Sequence, residues 1–189
     1  PELNKSYFKK SIILKPDELI LWRNETNTNF KAIKTSFSSY PQLKSRIKSI
    51  KKNIIGYSLG GFELSEPLDN NIIKFIKKYK EINWEFRFHP MRNDLIYYKD
   101  TIFYKKISNL KNITFIKCNV SLNAWLSKID LHITHNSSVI IEASSVGLKS
   151  FTFNKNSSKY FKNQINNKNL EIINKDNHIK KIINYLKSN

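Results

Sequence analysis

"HITHNSSVIIEASSVG", His132 to Gly147, decides how the rest of the chain is read. Leu131 to Thr134 is short and β-prone, so it reads as a strand. His135-Asn136-Ser137-Ser138 is a polar elbow, with Ser137 or Ser138 suited to cap a helix. Val139, Ile140, Ile141, Ala143 and Val146 make that helix apolar nearly all round, so it should be buried. Gly147 stands where a left-handed helix stop is wanted. A strand, a polar elbow and a buried helix make one unit of an α/β fold.

The same unit recurs outward from this stretch. "NIIGYSL" is β-rich and ends at Gly60-Gly61. Ile72, Ile73, Phe75, Ile76 and Tyr79 fall at helical spacing, with Asp69 ahead as a cap. In "WEFRFHP", Trp84, Phe86 and Phe88 alternate with Glu85 and Arg87, and Pro90 ends the strand. "NDLIYYKDTIFYKKI" is expected to be one helix, and "NITFIK" a strand. Ser121 caps a helix with Leu122, Trp125, Leu126 and Ile129 on one face. "KSFTF" and "LEII" are strands, and Asp176 starts a last helix. Asn154 to Lys159 is expected to be a loop. This alternation predicts a Rossmann-like parallel sheet with helices on both faces over residues 51–189. Residues 1–50 carry no clear pattern and are expected to be an extension or interdomain linker. The chain starts Pro-Glu and is expected to be a piece of something longer.

Composition narrows the function. No apolar run reaches the ~18 residues that span a bilayer. The single cysteine, Cys118, forms no internal disulfide and no zinc cluster, which fits a reducing, cytoplasmic setting. The net charge is +18, but of 33 basic residues only Arg23, Arg46, Arg87 and Arg92 are arginine. Arginine is the residue suited to bidentate phosphate and base recognition, so the charge argues little for nucleic acid. Weak contact with an anionic membrane face remains compatible with it.

In a parallel sheet the ligand lies beyond the carboxyl ends of the strands. Three polar clusters fall there: Ser58 with Gly60 and Gly61, Arg87 with His89, and His135 with Asn136, Ser137 and Ser138. Paired glycines let a ligand approach the backbone. His89 can donate to an anionic oxygen, and the two serines offer hydroxyls. Each feature alone has a plain structural explanation: a turn, an end-of-strand histidine, a cap, an ion pair for Arg87. His132 reads as a packed histidine and His178 as a surface one. No GxGxxG, P-loop or HExxH pattern is present, and no carboxylate cluster suggests a metal or cofactor.

"WEFRFHPM", followed some fifty residues later by "ITHNSSVIIEASSVGLKSFTF", resembles the donor-binding, C-terminal half of GT-B glycosyltransferases. The likeness is to bacterial sialyltransferases, polysialyltransferases, Kdo-type transferases and teichoic-acid glycerophosphotransferases. The resemblance implies that His89-Pro90 and Ser137-Ser138 hold the phosphate of a CMP- or CDP-linked donor, with His89 catalytic. It implies that Glu142, in Glu142-Ala143 ahead of Gly147, binds ribose hydroxyls. "GYSLGG" is similar to the loop after this half's first strand. Lys149 stands where such enzymes usually have proline. The expected function is a metal-independent donor domain in surface-polysaccharide synthesis, favouring a CMP-activated acidic sugar. It would serve a glycan or lipid-linked acceptor at the inner membrane face, and would be inactive without its N-terminal half. The alternatives are a UDP-sugar epimerase-like domain and a basic nucleic-acid-binding module.

Overall fold

The computed structural model describes residues 53–60, 70–99, 101–135, 137–174 and 176–188. Asp69, Gly61, Asn136 and the segment 1–50 singled out above lie outside the described residues. Six strands form one sheet: β1 (Ile54–Ser58), β2 (Asn83–Arg87), β3 (Ile113–Ile116), β4 (Leu131–Thr134), β5 (Ser150–Thr152) and β6 (Leu170–Ile172). Their order is β3-β2-β1-β4-β5-β6 and every pairing is parallel. The helices between them are α1 (Asn70–Lys78), α2 (Ile102–Ile107), α3 (Leu122–Lys128), α4 (Val139–Ser145), α5 (Ser157–Tyr160), α6 (Lys162–Asn166) and α7 (His178–Ser188). The α/β fold with a parallel, Rossmann-like sheet expected from the sequence is the one observed. The direction in which the chain progresses across the sheet reverses between β1 and β4, and in open α/β sheets such a switch point is where ligands bind, outside the carboxyl ends of the strands.

The two faces of the sheet differ. Ile55, Tyr57, Trp84, Phe86, Leu131, Ile133 and Phe151 point to one side and join α1, α2 and α7 through Ile72, Ile76, Phe103, Ile107, Ile182 and Leu186. Aromatic rings line this core, with Trp84 stacked on Phe86 and Phe86 edge-on to Phe103. On the other side α3 lies close against the sheet. Gly56 makes room for it: a Cβ there would fall 2.4 Å from Ile129 Cδ1 and 2.6 Å from Trp125 Cζ2. By strand alternation and register, Ser58, Glu85, Arg87, His132, Thr134, Ser150 and Thr152 share this second side, and all are buried.

Local chemistry accounts for the element ends. Ser121 Oγ accepts from the Ala124 amide at 3.1 Å and starts α3, as expected. Gly147 has φ +74°, and α4 closes with paired bonds, Leu148 N to Ala143 O and Gly147 N to Ser144 O. This is the double bond of a Schellman stop. The long helix expected over 93–107 is instead a 3₁₀ turn, Leu95–Tyr97, and the short α2. Asp94 caps the first through the Ile96 amide and Thr101 caps the second through the Tyr104 amide. Two caps seven residues apart stop one helix and start another. The loop expected over Asn154 to Lys159 contains the start of α5, and α7 begins at His178 rather than at Asp176. His178 is buried, not on the surface. Its Nδ1 lies 3.0 Å from the Asn174 carbonyl and its ring meets Phe153 edge-on.

Candidate functional site at the carboxyl edge of the sheet

Register places the candidate residues on a common edge. Ser58 of β1 pairs with Arg87 of β2 on one side and with Thr134 of β4 on the other. Two residues further along, β1 delivers Gly60 and β2 delivers His89 at the same level. β4 continues into His135 and then Ser137. Adjacent strands lie ~4.8 Å apart, so the backbones after β2 and β4 flank Gly60 across roughly 10 Å.

His89 has a fixed orientation. It caps the 3₁₀ turn Pro90–Arg92 with an extended backbone, φ −75° and ψ 142°, as a residue before proline should have. Its Nδ1 accepts from the Met91 amide at 3.2 Å. Nδ1 is thus the acceptor, and the neutral ring carries its proton on Nε2. Burial, and then the nearby Arg92 guanidinium, hold His89 below the ordinary histidine range. At neutral pH it is an uncharged donor through Nε2–H.

Of the two serines expected to suit the cap, one makes the bond. Ser137, not Ser138, makes the capping bond, its Oγ accepting from Val139 N at 3.3 Å. Ser138 already has helical angles and makes no side-chain capping bond. His135 is half-buried, and its carbonyl accepts from Thr152 Oγ1 at 2.8 Å. Glu142 is buried on α4, one turn beyond the elbow. Gly60 is buried at the end of β1.

Two of the expected residues face inward. Arg87 is 8% exposed. Its Nη2 donates to Val120 O at 2.8 Å and its guanidinium sits 5.6 Å from the Trp125 ring centroid. Glu85 does not pair with it and instead accepts from Lys128. Desolvation holds Arg87 below the usual arginine range, with the nearby Cys118 opposing. Ser58 is likewise committed, its Oγ 2.8 Å from His132 Nε2.

His132 is packed, as its position within a strand suggests. It is 0% exposed and meets Trp125 edge-on. Its Nδ1 lies 2.9 Å from Ser150 Oγ, so one ring joins β1, β4 and β5. Desolvation lowers its pKa to about 3, so the ring is neutral. Reading strand by strand missed this network. Its signal was present in the alternation of His132 with Thr134 and of Ser150 with Thr152. Among the described residues no three His, Cys, Asp or Glu side chains group to hold a metal, and no helix is long and apolar enough to cross a membrane. A groove of about 500 Å³ lies elsewhere, beside Lys149, Lys168, Glu171 and Lys181, where Glu171 accepts from Lys181 and pairs with Lys149.

No family model and no curated protein matches this chain. Solved structures similar to part of it include two enzymes. One is a UDP-GlcNAc 2-epimerase from Neisseria meningitidis bound to UDP-GlcNAc, at 16% identity and TM-score 0.49 over 71% of this chain. The other is the wall teichoic acid polymerase TagF soaked with CDPG, at 18% identity and TM-score 0.41 over 74% of this chain. The chain spans 34% of the first and 38% of the second, about a third of each.

Proposed function

We propose that this sheet edge binds the nucleotide phosphate of an activated donor, as the donor half of a glycosyltransferase of bacterial surface-polysaccharide synthesis. The observation that supports the reading is the register, in which Ser58 pairs with both Arg87 and Thr134, so that Gly60, His89 and the Ser137-Ser138 elbow all follow the carboxyl ends of neighbouring strands. Departure of a nucleotide from a sugar builds negative charge on the leaving phosphate. Donors fixed in advance at that position stabilise the charge without reorganising. The His89 Nε2–H and the Ser137 and Ser138 hydroxyls are such donors, with Asn136, His135 and Gly61 beside them in sequence. Gly60 admits the phosphate to the backbone. Glu142 would accept from ribose hydroxyls. Ser58 and Arg87, bound to His132 and Val120, support the edge from below.

A CMP-linked acidic sugar is the donor we favour, on the resemblance of the His-Pro and Ser-Ser pair. A glycan or lipid-linked acceptor would be held by a second half-domain, and the +18 charge supports a peripheral contact with anionic membrane.

Calorimetric titration with CMP, CDP, UDP and GDP tests the reading in the wild-type chain, His89→Ala and Ser138→Ala. Saturable, cytidine-selective binding is expected, weakened roughly ten- to a hundredfold in each variant. Binding of any polyanion that falls steeply with salt and is the same in both variants would overturn it in favour of a basic nucleic-acid module.

A further inference from the structure

Beneath the elbow runs a set of side-chain bonds to the main chain. Thr134 Oγ1 donates to the Ser58 carbonyl at 3.1 Å, tying β4 to β1. Thr152 Oγ1 donates to the His135 carbonyl at 2.8 Å, tying β5 to the first residue of the elbow. Both threonines are 0% exposed. Thr134 and Thr152 are the last register pair of β4 and β5, so His135 lies just past the end of that ladder. Its carbonyl is at the place where backbone pairing runs out and side chains must take over.

The Thr152 hydroxyl is fully used. It has one proton and two lone pairs. The proton goes to His135 O. The lone pairs face Asn154 N at 3.2 Å and the buried Ser157 Oγ at 3.3 Å. Those two partners come from the turn that starts α5, so the hydroxyl is held from behind and its proton has one direction left.

We infer that Thr152 is a positioning residue for the phosphate edge: by holding the His135 carbonyl it sets where Ser137 and Ser138 stand. The inference rests on the donor-edge reading for its functional consequence, and on the hydrogen bond alone for its structural one. Threonine is chosen over the β-branched valine of the same shape because the shape packs β5 and the hydroxyl steers β4.

The test uses the full chain with Thr152→Val and Thr152→Ser, in two measurements. The first is amide hydrogen exchange at residues 137–139, read against global stability from urea unfolding. Thr152→Val should speed exchange at the elbow beyond any change in global stability, and Thr152→Ser should restore protection. The second is CMP titration, where Thr152→Val should bind at least about tenfold more weakly and Thr152→Ser near wild type. A Thr152→Val chain with wild-type elbow exchange and wild-type affinity would overturn the inference. So would a loss of global stability with the elbow unchanged, because that is a purely structural role. If the wild-type chain binds no nucleotide, the donor-edge reading fails, and the exchange measurement alone decides for or against Thr152.

Discussion

Two histidines on this sheet are both pushed toward the neutral form, and for different purposes. His89 stands at the edge, with Nδ1 tied to the Met91 amide and Nε2 left to donate. Burial and Arg92 lower its pKa, so its titration in the unliganded chain should have a midpoint below 6.5. Ring ¹⁵N shifts should report the Nε2–H tautomer above that midpoint, and a midpoint above 6.5 would contradict the assignment. His132 is sealed between Ser58 and Ser150 with a pKa near 3. Unfolded, it takes up a proton near pH 6.5; folded, it does so only near 3. Its contribution is therefore intact above pH 6.5 and is lost as pH falls from 6.5 towards 3. The total loss is on the order of 5 kcal/mol. Urea unfolding at a series of pH values should show that slope, and His132→Gln should flatten it.

At the scale of elements, the second face of the sheet sets how closely a helix can approach. Gly56 faces Ile129 and Trp125 with no room for a methyl group. Gly56→Ala should therefore displace α3 and cost about 1–3 kcal/mol in chemical unfolding. Gly147 is the opposite case, with nothing within 4 Å of an added Cβ but φ at +74°. Gly147→Ala should cost about 1 kcal/mol through the backbone alone. Most of the strand and helix order was legible because each strand alternates or runs apolar and α1, α3 and α7 repeat apolar residues at three and four residues, whereas the short α5 (SSKY) and α6 (KNQIN) carry no such repeat. The segment over 93–107 was not, because Asp94 and Thr101 cap locally within a continuous aromatic stripe. Alternation put Glu85 and Arg87 on the face opposite Trp84 and Phe86. They are buried because Gly56 lets α3 cover that side, which no single strand reveals. His178 looked exposed near the chain's end, yet α7 carries it in against Phe153.

For the whole molecule, strand order is what turns scattered polar residues into one edge. The strand order β3-β2-β1-β4-β5-β6 brings residues 58–60, 87–89, 134–135 and 137–138 to the same edge although they are up to 80 positions apart. The sequence showed which residues end strands. It did not show that Ser58 and Arg87 turn inward, since that depends on His132 and Val120 across neighbouring strands. The central claim is that a nucleotide phosphate sits at this edge. Amide shift mapping of the ¹⁵N-labelled chain titrated with CMP tests it most directly. The account expects saturable shifts concentrated at Gly60, His89, Ser137 and Ser138. Shifts spread over surface lysines and abolished by moderate salt, with those four residues unmoved, would contradict it.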